Sequence, residues 1–353
     1  MIDKSNLSKS IELTLESTDK LITQGKQIWE EAESIVYPSK YYQIENIVVC
    51  GMGGSSLPAH IIESTFQTKV PLHIVEGYKL PSWAGPRTLV ILSSYSGDTE
   101  ETLSCAVHAE ENQCVITGIT TGGSLQKFLI GGNYPYCIIN PTNNPSEAPR
   151  LGIGYGIFGL LKILSKLELI EKFDQATLDK TVLNSFENVQ SNITTIKDKA
   201  QKMATNLKNK FIVTIVAEHL GGVGRTMENQ LNETAKALAF YKHLPEANHN
   251  LVEGFSELQS EVAVIFLKSQ KYTSRVLRRM DITKDILEKK GFATHMYEIE
   301  SPVLLEAPTL LEETLNALIF SGNLSANLAM EKNVNPLDIP NIDNIKRELL
   351  GNY

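Results

Sequence analysis

Ile47-Val48-Val49-Cys50-Gly51-Met52-Gly53-Gly54-Ser55-Ser56 is the stretch on which the fold turns. Four apolar residues without alternation suit a strand buried on both faces, as in parallel sheets covered by helices. The glycines that follow permit a tight turn and a close backbone approach, and the serines suit a helix start. A strand, a glycine-rich turn and a helix in that order open an α/β unit.

Outward from this unit the same grammar repeats. Leu72-His73-Ile74-Val75, Leu89-Val90-Ile91-Leu92, Cys114-Val115-Ile116-Thr117 and Tyr136-Cys137-Ile138-Ile139 are further short apolar runs, with a helical segment such as Asp98 to Glu110 between them. The pattern predicts a doubly wound α/β sheet. A turn-rich stretch, Asn140-Pro141-Thr142-Asn143-Asn144-Pro145, precedes a helix from about Leu151 to Lys166 with Leu151, Phe158, Leu161 and Leu164 on one side. The domain boundary is placed here, giving residues 1–165 and 166–353. The second series predicts a helix from about Gln175 to Leu207 and a strand from Phe211 to Ala217. A glycine-rich turn and a helix follow, with an apolar stripe of Leu231, Ala235 and Leu238. Then come a strand Val262–Leu267, a helix Tyr272–Lys290, a strand His295–Ile299, and C-terminal helices from about Leu304 to Met330 and Ile342 to Leu350.

Totals narrow the function. The chain has 353 residues, 42% hydrophobic and 21% charged, enough to bury a large core without metals or disulfides. Its formal net charge of −8 argues against broad nucleic-acid binding, which releases phosphate counterions through a basic surface. An anionic ligand would therefore need a local positive site. Cys50, Cys105, Cys114 and Cys137 form no CxxC pair and read as buried thiols in a reducing compartment. No HxH, HExxH or CxxC spacing offers a metal site, and no metal or cofactor is expected. Met1-Ile2-Asp3-Lys4 opens without a basic-then-apolar leader, and the apolar run Leu151 to Leu161 is too short to span a bilayer. A cytoplasmic location without a membrane partner is the expectation.

Two loops carry the chemistry. The first is Gly51 to Ser56, where backbone N–H groups at a helix start could meet an anion. A glycine run alone reads equally well as a capped strand-to-helix turn. It also starts as G-x-G, with Glu76 ending the next strand 25 positions on, so a dinucleotide site and a nucleotide-dependent oxidoreductase stay open. The second loop, Ser93-Ser94-Tyr95-Ser96-Gly97-Asp98-Thr99-Glu100-Glu101-Thr102, clusters hydroxyls at the end of a strand. A phosphate monoester needs several short donors around three oxygens, and this loop supplies them. A helix-capping box at Thr99 to Thr102 is the alternative, but a cap needs one hydroxyl and this loop has several.

Together these loops resemble the sugar isomerase (SIS) domain. More closely, they resemble the bifunctional phosphoglucose/phosphomannose isomerase family, with Asp98 where that family usually has asparagine. The resemblance implies two SIS-type doubly wound α/β domains with parallel sheets flanked by helices, plus C-terminal helices. It implies an aldose–ketose isomerase that interconverts glucose 6-phosphate, and mannose 6-phosphate, with fructose 6-phosphate through an enediolate. Gly53, Gly54, Ser55, Ser94, Ser96 and Thr99 would then hold the phosphate.

The acid–base candidates follow the same resemblance. Asn229-Gln230-Leu231-Asn232-Glu233-Thr234-Ala235-Lys236 fits the family's N-Q-x-x-E-x-A-K pattern, which makes Glu233 the proton shuttle, with Glu228 its rival. By helix spacing alone, Glu233 beside Lys236 reads as a solvated pair. His249, in Glu246-Ala247-Asn248-His249-Asn250, matches the family's ring-opening histidine, given across a homodimer interface; His219 competes with it as the histidine beside a glycine-rich turn. Arg150, after Ala148-Pro149, matches the arginine that stabilises the enediolate, a role suited to a permanent planar cation. Lys346 is carried over from the closing segment as a partner in ring opening. A non-catalytic sugar-phosphate-binding regulator built on the same loops is the other reading, and it has no use for Glu233 and His249 together.

Overall fold

The structure is a computed structural model that describes residues 4–299 and 309–350. Its first half runs α1 (Lys4–Asp19), α2 (Leu21–Glu31), β1 (Asn46–Cys50), α3 (Leu57–Thr65), β2 (Leu72–Val75), β3 (Thr88–Ser94), α4 (Glu100–Glu111), β4 (Val115–Thr120), α5 (Gly123–Gly131), β5 (Tyr136–Ile138) and α6 (Ile153–Lys166). The second half runs α7 (Gln175–Ala204), β6 (Phe211–Ala217), α8 (Gly221–Glu233), β7 (Ala239–Leu244), α9 (Leu251–Gly254), β8 (Val262–Lys268), α10 (Ser274–Lys289), β9 (Ala293–Glu298), α11 (Leu310–Lys332) and α12 (Pro340–Leu350).

All strand pairs are parallel, in two sheets ordered β2-β1-β3-β4-β5 and β7-β6-β8-β9. The two orders follow one plan, with each half's first strand between its second and third. The doubly wound expectation therefore holds for both halves. Central strands are buried along their length, with every residue of β3 and β4 inside, as double helical cover requires. The outer strands β2, β7 and β9 are only partly covered. The main core is continuous between the halves and includes Ile47 and Val49 of β1 with Ile212 and Ile215 of β6. A smaller core lies on the other face of the first sheet, from Val48, Val90 and Ile116 to Leu125 and Leu129.

Helices join the halves. α3 crosses α8, and Gly222 is required there, because a Cβ would stand 2.5 Å from the His60 carbonyl and the Ile61 Cα. α11 is buried from Leu311 to Ala329 and packs against α7, α8 and α1. A capping box fixes its start: Thr309 Oγ1 accepts from the Glu312 N–H at 3.1 Å and Glu312 Oε2 from the Thr309 N–H at 2.9 Å.

Three expectations need correction. Strand β7 was absent from the sequence reading. The helix carrying Glu233 ends at Glu233, so Leu238 lies beyond it and is exposed rather than part of a helical stripe. The helix expected from Leu304 begins at Leu310; its predicted start at 304–308 lies outside the described residues. The four cysteines are free and buried.

Candidate active site

The first loop leaves β1 through a 3₁₀ turn, Gly53–Ser55, that feeds α3. Gly53 has φ +48°, the left-handed region that favours glycine. Gly54 is constrained by contact: a Cβ would lie 2.9 Å from the Arg150 backbone N. This residue seats the turn directly on the Pro149–Leu151 segment. The second loop is clasped to the first by hydrogen bonds. Ser93 Oγ donates to the Ser55 carbonyl at 2.8 Å, and the Tyr95 N–H donates to Ser55 Oγ at 3.0 Å.

Within the second loop Ser94 is buried, accepts from the Gly97 N–H at 3.0 Å and shares a 2.8 Å hydrogen bond with Thr99 Oγ1. Thr99 precedes α4 but makes no side-chain cap, so the capping-box alternative does not hold at this position. Ser96 is exposed, and its hydroxyl accepts from the Asp98 N–H at 3.3 Å. Asp98 points to the start of α5 and accepts from Ser124 N and Oγ at 2.9 and 2.8 Å; these bonds hold its carboxyl below its ordinary pKa. The residue that departs from the family pattern thus braces the loop against α5.

Beside these loops, Arg150 and Glu233 meet. Arg150 is 2% exposed, and its guanidinium donates to Glu233 Oε2 at 3.2 Å, Thr234 Oγ1 at 3.0 Å and the Pro336 carbonyl at 2.6 Å. Burial lowers its pKa, and the Glu233 charge acts the other way. The second Glu233 oxygen accepts from Asn229 Nδ2 at 2.8 Å. Gln230 reaches the Arg150 carbonyl at 3.3 Å and accepts from Ser321 Oγ at 2.7 Å, tying the pair to α11. The rival Glu228 faces β7 instead, accepting from the Tyr241 N–H at 3.2 Å.

Lys236, at φ +50° just past α8, donates to the Glu233 carbonyl at 2.5 Å. It makes no ion pair with the Glu233 carboxylate, contrary to the solvated-pair reading from helix spacing, because the helix has already ended. Its pKa is lowered to about 8, mainly by burial and then by Arg150, while Asp338 and Glu233 oppose the shift. Thr234 and the Pro336 carbonyl are site groups that no motif in the sequence points to, and Lys236, expected as a solvated partner of Glu233, instead sits half-buried at the end of α8. Thr234 and Lys236 flanked the motif glutamate, but only tertiary packing turns them to Arg150 and the end of α8.

The remaining candidates are not brought to this place. His249 ends a short 3₁₀ turn, Glu246–His249, and is exposed. Lys346 lies on α12, whose side is open to solvent at Ile345 and Leu349. His219 is buried and bonded to Glu313 at 2.8 Å, a structural pairing. Glu76, considered for a ribose, is taken up by Ser56 Oγ at 2.7 Å, Arg225 at 2.5 Å and His60 at 3.5 Å. Among the described residues no cluster of three or more His, Cys, Asp or Glu is arranged to hold a metal, and no helix is long and apolar enough to cross a membrane.

The family profile described as the bacterial phospho-glucose isomerase C-terminal SIS domain matches residues 196–349. The bifunctional phosphoglucose/phosphomannose isomerase of Caldicellulosiruptor bescii is 28% identical over 343 residues, covering 95% of this chain and 98% of that protein. The protein of the same name from Aquifex aeolicus is 28% identical over 329 residues, covering 91% and 94%. Among solved structures, the C-terminal domain of glucosamine-fructose-6-phosphate aminotransferase from Francisella tularensis superposes with a TM-score of 0.69 at 12% identity, covering 91% of this chain and 96% of that one. That likeness concerns the fold.

Proposed function

We propose that this chain, which belongs with the bifunctional phosphoglucose/phosphomannose isomerases among the SIS-domain proteins, interconverts glucose 6-phosphate and mannose 6-phosphate with fructose 6-phosphate. It is an aldose–ketose isomerase, and its two SIS-type halves, 1–165 and 166–353, supply different parts of one site. The observation that carries the reading is the Arg150–Glu233 contact at 3.2 Å, directly against the Gly54 turn.

The chemistry follows from those positions. The N–H groups of Gly53 and Gly54 and the hydroxyls of Ser55, Ser94, Ser96 and Thr99 hold the phosphate, matching its charge with short donors. With the sugar open, the Glu233 carboxylate takes the C2 proton and returns it to C1, and the same base serves both C2 epimers in the aldose-forming direction. The enediolate oxygens that gain charge face Arg150, which offers N–H donors already oriented by Thr234 and Pro336. His249 of the partner subunit and Lys346 complete the site for ring opening, in a cytoplasmic homodimer.

A coupled assay with glucose 6-phosphate and mannose 6-phosphate tests the reading. Both give fructose 6-phosphate, and in deuterated water the product carries label at C1. Tight phosphosugar binding without turnover would instead establish the regulator reading.

A further inference from the structure

The end of α8 holds a second cation for which the reaction above has no use. Lys236 is half-buried, and charged groups from every segment around it face it: Arg150 on the 149–151 turn, Glu233 on α8, Lys332 at the end of α11, and Asp338 beyond it. Lys332 Nζ donates to the Lys236 carbonyl at 2.6 Å, fixing the backbone from which the side chain folds back. That side chain fills one of the carbonyl positions that a helix leaves unpaired in its last turn, and the carbonyl is that of Glu233 itself. A cation at a helix C-terminus also offsets the partial negative charge there.

We infer that Lys236 is a positioning residue for Glu233: its ammonium pins the last turn of α8 and, with Arg150, sets the field at the carboxylate, so turnover falls about tenfold when that ammonium loses its proton. The inference rests on the isomerase reading. Two cations beside the base favour the charge that develops on the enediolate oxygens more than they favour the uncharged carbonyl and hydroxyl of the open substrate, so loss of one raises the barrier rather than weakening binding. Burial and then Arg150 pull the Lys236 amine down to about 8, against Asp338 and Glu233 and with a smaller push from Lys332, so it titrates within reach of working pH.

The experiment combines pH–rate profiles with a direct titration. In wild type, kcat falls above a midpoint of about 8. In Lys236→Met the limb disappears and the plateau drops about tenfold, the worth of one pK unit of interaction, with KM little changed. In Lys236→Arg, which cannot deprotonate in this range, the limb moves beyond pH 10. A limb that persists unchanged in both variants overturns the proposal. Titration of lysines labelled at the ε-carbon decides the point even if the chain shows no isomerase activity, which would sink the preceding reading instead. One resonance with a midpoint near 8, absent in Lys236→Met and moved lower in Glu233→Gln, supports the assignment; an ordinary midpoint overturns it.

Discussion

A single carboxylate and a single missing side chain carry most of the site. Glu233→Gln keeps the shape of the last turn of α8 and its bond from Asn229, but cannot accept a proton. It lowers kcat by about two to four orders of magnitude, the usual worth of a positioned base, while phosphosugar binding stays near wild type. Steady-state kinetics with a binding isotherm checks this; full activity retires the assignment. Gly54→Ala works differently. Its Cβ enters the 2.9 Å space before the Arg150 N, and the opposing atoms are backbone, which cannot turn aside. Either the turn or Arg150 must shift, and a misplacement of about 1 Å costs about a hundredfold in kcat/KM. A wild-type value for the alanine variant would show that the turn and Arg150 are not mechanically coupled. Arg150 and Glu233 were legible in the sequence because local motifs surround each. Thr234 as an arginine ligand was not, since nothing local to it indicates Arg150, 84 positions earlier.

At the level of elements, α11 is the piece whose loss is felt furthest. Glu313, 1% exposed in its first turns, bonds to His219 after β6 and to Ser269 after β8. Glu313→Ala leaves the buried His219 ring nitrogen without its partner and the Ser269 hydroxyl without its acceptor, and costs about 1–3 kcal/mol by denaturant titration. A change below about 0.5 kcal/mol would mean that the pair is not a structural tie. The elements themselves were readable wherever a strand is buried on both faces: β1, β3 and β6 fall within two residues of their expected ends. β7 was missed for a physical reason. As an edge strand its burial alternates through Ala239-Phe240-Tyr241-Lys242-His243-Leu244, so it lacks a continuous apolar run. It is also held by a side chain: Asn232 donates to the Ala239 carbonyl at 2.9 Å and accepts from its N–H at 3.2 Å. That bridge stands where the apolar pattern suggested more helix.

Across the whole molecule, contacts between halves decide the pH response. Glu76 follows β2 and binds Arg225 of α8, and its pKa is lowered to about 2 by His60, Ser56 and Arg225. A depressed carboxyl gives stability that is fully present above its ordinary pKa, near 4.5, and that is lost as pH falls towards 2. Glu76→Gln therefore destabilises by about 1–2 kcal/mol at pH 7, after allowance for solvent screening, and by almost nothing at pH 2. A difference that is the same at both pH values would remove Glu76 from the acid response. The proposed dimer has its own test. Glu233→Gln and His249→Asn homodimers are each impaired, yet mixing and exchanging their subunits restores about a quarter of wild-type activity, because half of the mixed dimers' sites are intact. No recovery would place His249 in its own chain's site or outside any site. The sequence displayed two similar halves but not their interleaving, because the buried side of α1 is mostly hydroxyl residues, Ser10, Thr14, Ser17 and Thr18, with Thr18 against Gly322 of α11, and carries no apolar pattern to read. That packing has a consequence during synthesis. α1 leaves the ribosome about 290 residues ahead of α11, a delay of roughly 15–60 s at ordinary elongation rates. Throughout translation the buried face of α1, in which Ile11 is joined by Ser10, Thr14, Ser17 and Thr18, has no mate, so α1 settles only once α11 is made, and its amides gain protection from hydrogen exchange no earlier than those of α11.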